Sequence, residues 1–316
     1  MVSCKRHFYL LDKSLTSLVD SDMKLRTNEE KLVKISVMGE VASPVARSAY
    51  RITHDGRPVT LPGVGGITYN LRVGDLATGW KADHVEPGVS IENKENDARF
   101  KTMANTSLNV LSCIGNEAKV VGGSDAKGDI GTVVGKHGGI EHVMVDFPEE
   151  IMEKLVIGDK MMVKAFGQGL ELLDYPEIKV MNIDPGFLNK IKFGDEKGRL
   201  AIPVTHKIPA RIMGSGLGAD QVSSGDYDIQ LFDEATNKEY GLDDLRFGDL
   251  VAIMDADHSY GRIYLRDAVS VGIIVHSDCV ISGHGPGVTT LFTSKKGLIE
   301  PIINPEANIA TILKLR

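Results

Sequence analysis

Cysteine is scarce in this chain: only Cys4, Cys113 and Cys279 occur among 316 residues, an odd number spaced far apart. That excludes a disulfide framework and fits a protein kept reduced in the cytoplasm, the location we expect. Long apolar runs are missing as well. No stretch approaches about 18 uninterrupted apolar residues, which excludes a membrane-spanning helix, and no membrane partner is expected. Positive charge is in deficit, with 36 Lys and Arg against 43 Asp and Glu and a net charge of −7. A general nucleic-acid binder needs a basic footprint to displace counterions, so no nucleic-acid partner is expected either. Near the N-terminus, Lys5 and Arg6 precede only His7-Phe8-Tyr9-Leu10-Leu11 before Asp12, too short an apolar run for a secretory signal. What is present, 42% hydrophobic and 25% charged residues, is the composition of an ordinary folded protein, and the length suits about two domains.

The 34 glycines punctuate short β-branched runs, the pattern of many short strands. Examples are Ile130-Gly131-Thr132-Val133-Val134, His142-Val143-Met144-Val145-Asp146-Phe147, Leu250-Val251-Ala252-Ile253-Met254 and Val269-Ser270-Val271-Gly272-Ile273-Ile274-Val275. Gly138-Gly139 lies between the first two and supplies the positive φ of a hairpin turn. An internal repeat joins them: Leu71-Arg72-Val73-Gly74-Asp75-Leu76, Leu155-Val156-Ile157-Gly158-Asp159-Lys160 and Leu245-Arg246-Phe247-Gly248-Asp249-Leu250 share an apolar anchor and a Gly-Asp turn. Turn chemistry before a strand accounts for it; a shared carboxylate site of Asp75, Asp159 and Asp249 is the alternative. Helices are few. Residues 93–114 repeat Phe100, Met103, Ala104, Ser107, Leu108 and Leu111 at helical spacing before Gly115. Pro148-Glu149-Glu150 opens a short helix through Leu155, and Asp184-Pro185 caps another through Ile191.

The densest run of reactive groups spans residues 255–290 and holds three of the nine histidines. Asp255, Asp257, His258, Tyr260 and Arg262 follow one apolar strand; His276, Asp278, Cys279 and then Gly283-His284-Gly285-Pro286-Gly287 follow another. Imidazole with carboxylate suits Zn, Mn or Fe, and a thiolate pushes toward Zn. The metal set we expect is Asp255, Asp257, His276 and Asp278, the last two alternating by two on extended chain and so facing one side. Asp257, His258, His276 and Cys279 are the candidate catalytic groups. Cys279 with His276 or His284 is a possible nucleophile pair. Arg262, His284, Gly285, Gly287 and Tyr260 are the candidate substrate contacts, Arg262 gripping a carboxylate with two prongs. The competing reading is structural: aspartates closing turns, histidines bonded to backbone, Cys279 a small buried residue.

Other signals are thinner. Leu61-Pro62-Gly63-Val64-Gly65-Gly66-Ile67 lacks the spacing of a dinucleotide-binding loop, and no Gly-Lys-Ser/Thr ending follows any glycine-rich run, so no nucleotide cofactor is expected. Gly79-Trp80-Lys81-Ala82-Asp83-His84 sets the only Trp beside an Asp-His pair. Asn105 and Asn109 would share a helix face. Gly214-Ser215-Gly216-Leu217-Gly218 reads as a flexible loop.

Three resemblances follow. Met213-Gly214-Ser215-Gly216 with Gly225-Asp226-Tyr227-Asp228-Ile229-Gln230, Gly248-Asp249-Leu250-Val251-Ala252-Ile253, and His276-Ser277-Asp278-Cys279 through the 283–291 segment resemble an uncharacterised prokaryotic family, the domain of unknown function numbered four-four-three-eight. Ile208-Pro209-Ala210-Arg211, Gly248-Asp249-Leu250 with Asp255-Ala256-Asp257-His258, and Ala268-Val269-Ser270-Val271-Gly272 resemble the acetamidase/formamidase family, which implies a β-rich amide hydrolase with a metal-associated acidic site. That family typically carries His directly after Gly-Asp-Leu and a Gly-Asp-Gly-Glu run, where this chain has Val251 and Asp257-His258-Ser259-Tyr260. Asp125-Ala126-Lys127-Gly128-Asp129-Ile130-Gly131-Thr132-Val133-Val134 is similar to a turn of small barrels in ribosomal and transcription proteins and implies a barrel.

The fold expected is therefore mainly β (α+β): an N-terminal extension over residues 1–30, a small β-barrel domain over 31–173, and a second β-rich, sandwich-like domain over 174–316 carrying the site. The function expected is metal-assisted hydrolysis of a small polar, amide-like substrate by a homo-oligomer, with a divalent Zn, Mn or Fe as cofactor. The alternative is a non-catalytic ligand-binding or assembly protein.

Overall fold

β-branched runs broken by Gly-Asp turns form strands, and where both faces are covered the run loses its polar alternation. In the computed structural model, which describes residues 23–46, 48–95 and 103–316, the first half carries β1 (Ile35–Val41), β2 (Arg51–Ile52), β3 (Pro58–Val59), β4 (Ile67–Thr68), β5 (Gly88–Glu92), α1 (Met103–Leu111), β6 (Glu117–Gly122), β7 (Ile130–His137), β8 (His142–Asp146), α2 (Glu149–Met152) and β9 (Lys160–Ala165). The second carries β10 (Lys179–Val180), α3 (Pro185–Leu188), β11 (Gly194–Glu196), β12 (Arg199–Val204), β13 (His206–Pro209), β14 (Tyr227–Asp228), α4 (Glu234–Tyr240), β15 (Leu250–Asp257), β16 (Ile263–His276), β17 (Gly287–Ser294), β18 (Ile299–Ile303) and α5 (Ile309–Leu313).

The protein is mainly β. Six antiparallel strands in the order β1-β9-β6-β7-β8-β5 close on themselves through a β1–β5 pairing, and β4 adds to β5. Closure leaves no long free edge to pair with another chain. Leu108 of α1 and Ile91 of β5 fill the space over Gly39 of β1. The second half holds the sheet β10-β17-β16-β15-β13, with β14 on β17, and the small sheet β11-β12-β18. Residues 199–209 run through both sheets, switching at Thr205 between β12 and β13; such a corner is how sandwich-like layers are joined. The apolar core runs through both halves without a break. They approach closely where β7 faces β16, because Gly135 lies where a Cβ would meet the Val275 side chain at 2.9 Å.

Some local expectations differ from the structure. The helix read over residues 93–114 is shorter: α1 covers Met103–Leu111, residues 93–95 are not helical, and Phe100 lies outside the described residues. The amide Asn109 is buried and donates to the Glu141 carbonyl at 2.9 Å, so this helix face is spent on packing. Asp184 caps α3 by accepting from the N–H groups of Gly186 and Phe187, as the Asp-Pro pair predicts. Residues 1–22 of the expected N-terminal extension lie outside the described residues; Arg26 beyond them pairs with Asp174. No described helix is long and apolar enough to cross a membrane.

The repeated Gly-Asp units share one device. Gly74, Gly158 and Gly248 all have φ between 83° and 96°. Each following carboxylate accepts the N–H three residues back: Asp75 from Arg72 at 2.8 Å, Asp159 from Val156 at 2.9 Å, Asp249 from Arg246 at 2.9 Å. The three acids close their own turns and form no common site. Asp249 is fully buried and also accepts from Asn308 Nδ2 at 2.8 Å, so Asp249→Ala strands buried donors and is expected to lower stability by about 1–3 kcal/mol. Asp75 is partly open to water, 29% of its side chain being exposed, and Asp75→Ala should cost clearly less. Urea denaturation of the two variants side by side checks this; equal losses would show that burial does not set the cost.

Candidate functional site

Where the barrel meets the second sheet, histidines and carboxylates from five separate segments converge. β7 and β8 form a hairpin in which His137 and His142 are paired partners, so both rings fall on one side and both reach Glu86. His137 Nδ1 lies 2.6 Å from Glu86 Oε1 and His142 Nδ1 2.9 Å from Oε2. Glu86 is fully buried; burial pushes its carboxyl up, yet His142 and His137 outweigh that and hold it well below the usual carboxylate range. β16 ends at His276, whose Nδ1–H donates to the Ser277 carbonyl at 2.9 Å. Both rings are thus anchored at Nδ1 and present Nε2 to the site. They stack on each other with centroids 4.2 Å apart.

The acids come from β14 and the residues before it. Across three neighbouring strands, Asp228, Gly287 and His276 lie side by side. A Cβ at Gly287 would collide with Asp226 and with the His276 ring, so this glycine is what lets the pair approach. Asp226 Oδ1 accepts from Gly138 N–H at 2.8 Å. Its other oxygen, Oδ2, pairs with His276 Nε2 at 2.8 Å, but neither buried atom has a hydrogen-bond partner. Burial disfavours the charged forms, but Asp226 and Asp228 outweigh it and raise His276 well above its ordinary value, while His276 keeps both carboxyls low.

His84, in left-handed backbone at φ 58°, points its two nitrogens in opposite directions. Nδ1 faces Asp83 Oδ1 and Cys279 Sγ, each at 3.2 Å; Nε2 lies 2.9 Å from His284 Nδ1 and 3.7 Å from Asp228 Oδ2. Asp228 Oδ2 is 2.8 Å from His284 Nδ1, and Gly285 N–H donates to it at 3.3 Å. Asp83 is further paired with Arg51. Two groups have ligand atoms close enough to share an ion: His137, Asp226 and His276, and His84, Cys279 and His284. A cavity of about 660 Å³ opens above them, lined among others by His84, His137, Asp226, Asp228, Arg262 and His284. Arg262 is buried, its Nε has no partner, and its other nitrogens make long contacts of 3.4 and 3.5 Å to the carbonyls of Gly216 and Ser224.

Of the residues singled out in sequence, His276, Cys279, His284, Gly285, Gly287 and Arg262 gather at or just beneath this cavity. The others do not. Asp255 sits at the bulge in β15 and accepts from Asp267 N–H at 2.8 Å. Asp257 binds Ser259 and Thr293 through Oδ1. Tyr260 is 78% exposed, under the ammonium groups of Lys179 and Lys295. Asp278 turns away from His276 to accept Gly79 N–H at 2.9 Å, because β16 has ended and the alternation by two no longer applies. The expected metal set of Asp255, Asp257, His276 and Asp278 is therefore corrected: only His276 faces the cluster. Sequence reasoning missed His137, His142 and Glu86 altogether. The five-residue spacing of His137 and His142 across a Gly-Gly turn signals the first two, Glu86 carries no signal, and Asp226 and Asp228, likewise missed, show only as an Asp-x-Asp alternation. His84 had shown only as an Asp-His pair beside Trp80, a residue that donates its indole N–H to the Leu76 carbonyl at 2.7 Å.

The chain's likenesses agree with this architecture. Domain of unknown function (DUF4438), N-terminal, matches residues 50–189, and Domain of unknown function (DUF4438), C-terminal, matches residues 190–313. A similar solved structure, "Crystal structure of TM1086", is 48% identical with a TM-score of 0.85 over 91% of this chain and 99% of that one. No curated protein matches the chain significantly.

His258, expected among the catalytic groups, is fully buried behind Tyr227, ring centroids 4.7 Å apart, with Nδ1 3.0 Å from Thr290 Oγ1. Burial first, and the Arg262 charge next, push it down to about 3. It is neutral in the folded protein, while the unfolded chain takes up a proton below about pH 6.5. Its contribution is therefore complete above that pH and fades as the solution is acidified toward pH 3. Compared with His258→Gln, the wild type should lose about 1.4 kcal/mol more per pH unit between about pH 6 and pH 4. Urea midpoints across that range test it; parallel profiles would mean His258 is not held neutral.

Proposed function

The chain belongs to the DUF4438 family, described only by its unknown function, and from the site itself we propose that it is a metal-dependent hydrolase of a small polar, anionic substrate. One observation carries the reading: His276 Nε2 and Asp226 Oδ2 face each other at 2.8 Å, both buried and both without a hydrogen-bond partner, beside the stacked His137 ring. Buried polar atoms left without a hydrogen bond are costly, and a cation taking the place of the His276 proton would satisfy both of these. His137, Asp226 and His276 fit a divalent Zn, Mn or Fe by donor type. Such an ion supplies a Lewis acid and a water acidic enough to be a nucleophile near neutral pH.

The chain's own groups do the rest. Glu86 and the Ser277 carbonyl hold the two imidazoles by Nδ1, fixing which nitrogen faces the site. Arg262 lines the cavity with a guanidinium whose hydrogen bonds are long or unmade, a fork suited to a substrate carboxylate. The cavity volume suits a small metabolite, not a polymer. We take an amide as the substrate class from the acetamidase/formamidase resemblance; Asp255 and Asp257, which carry part of it, do not line the cavity, and the hydrolytic chemistry belongs to the histidine cluster. Reducing cytoplasm suits a buried Cys279 thiol, and the homo-oligomer stays a proposal to be read from solution mass.

Freshly purified protein is expected to contain Zn, Mn or Fe and to hydrolyse short amides bearing a carboxylate. His276→Ala should remove the metal and the activity together. Glu86→Gln should weaken metal affinity by about 10- to 100-fold, with activity restored by added metal. Arg262→Ala should raise KM for the anionic amide by about tenfold to hundredfold and leave uncharged amides unaffected. Metal analysis and initial-rate kinetics decide. A metal-free protein that binds a small ligand without turning it over would overturn the proposal in favour of a non-catalytic binding protein.

A further inference from the structure

Asp228 shows each of its oxygens to a different set of donors. Oδ1 lies 3.4 Å from His276 Nε2, on the side of His137 and Asp226. Oδ2 lies 2.8 Å from His284 Nδ1 and 3.7 Å from His84 Nε2, and those two nitrogens are 2.9 Å apart. Three donor atoms with edges of 2.8 to 3.7 Å enclose the space of one small cation. On the far edge of the His84 ring, Asp83 and Cys279 engage Nδ1, which leaves Nε2 for the Asp228 side. The two triangles are neighbours: the His84 ring is 5.2 Å from that of His276 and 5.9 Å from that of His137. Asp228 is buried between them, and beside it Gly287 approaches Asp226 and His276 too closely to carry a side chain.

We propose that the centre is dinuclear: a second divalent cation is held by His84 Nε2, His284 Nδ1 and Asp228 Oδ2, and the Asp228 carboxylate bridges it to the ion at His137, Asp226 and His276. The proposal rests on the metal-dependent reading above and adds to it a pair of ions joined by one carboxylate. Such pairs clamp an anionic, tetrahedral arrangement from two sides, which narrows the substrate to one whose reacting group passes through that state beside the exposed face of His284.

The test uses full-length protein stripped with a chelator and titrated with Co2+ alone. The wild type is expected to bind two ions per chain, one for each donor triangle, with the electron paramagnetic resonance signature of a coupled pair. His284→Ala should retain one ion, uncoupled. Asp228→Asn should abolish the coupling and weaken the second ion by at least about tenfold. One ion per chain in the wild type, abolished by His276→Ala, would overturn the dinuclear centre and leave the hydrolase reading standing; no bound ion would sink both. A thiolate-to-cobalt absorption band lost in Cys279→Ser would move the second ion to the other edge of the His84 ring and overturn the Asp228 bridge. The wild-type stoichiometry and spectrum need no variant to fold.

Discussion

Four buried carboxylates, Asp83, Glu86, Asp226 and Asp228, are joined through shared histidines at the junction of the two halves, and burying negative charge without compensation is prohibitive. Five histidines and two arginines answer it. The strain is visible in the acid–base balance: burial opposes every charge here, and still the acids are held low and His84 and His276 are raised. A cluster that draws protons onto its imidazoles is one that would draw a metal cation in their place.

That demand explains the architecture around it. The barrel supplies His137, His142 and Glu86 from one hairpin and the segment before β5; the second sheet supplies Asp226, Asp228 and His276 from adjacent strands. Each half holds imidazoles together with carboxylates of its own, and only their packing sets His137 beside Asp226 and His276. Gly135 and Gly287 are the points of closest approach, one letting β7 lie against β16 and the other letting Asp226 meet His276. The site is thus a consequence of how two mainly β units are packed. His137, His142, Asp228 and His276 sit on strands, whereas Asp83, His84, Glu86, Asp226, Arg262, Cys279 and His284 lie on irregular chain.

Much of this was legible in one dimension. β15, β16, β7 and β8 appear as apolar runs, the Gly-Asp repeat as turns, and Asp184-Pro185 as a cap, because each depends on neighbours in sequence. The 255–290 run contains Arg262, His276, Cys279 and His284, which the structure gathers at or just beneath one cavity. It misled at Asp255, Asp257 and Asp278, where density of reactive residues was taken for convergence. Those acids are engaged locally, by Asp267, Ser259 and Gly79, which is the more common fate of aspartate near a turn.

The amino-acid order alone determined a mainly β chain with a barrel, few helices, no spanning helix and an unusual supply of imidazole. It could do so because strand, turn and cap are set by contacts within a few residues. Which imidazoles meet which acids was settled only in three dimensions, since His84, His137, Asp226 and His276 come together across separations that no spacing rule spans. Strand pairing across β14, β17 and β16, and the packing of β7 against β16, bring ligand atoms of His137, Asp226 and His276 within 4.8 Å of one another, and that register is a property of the whole packed sheet.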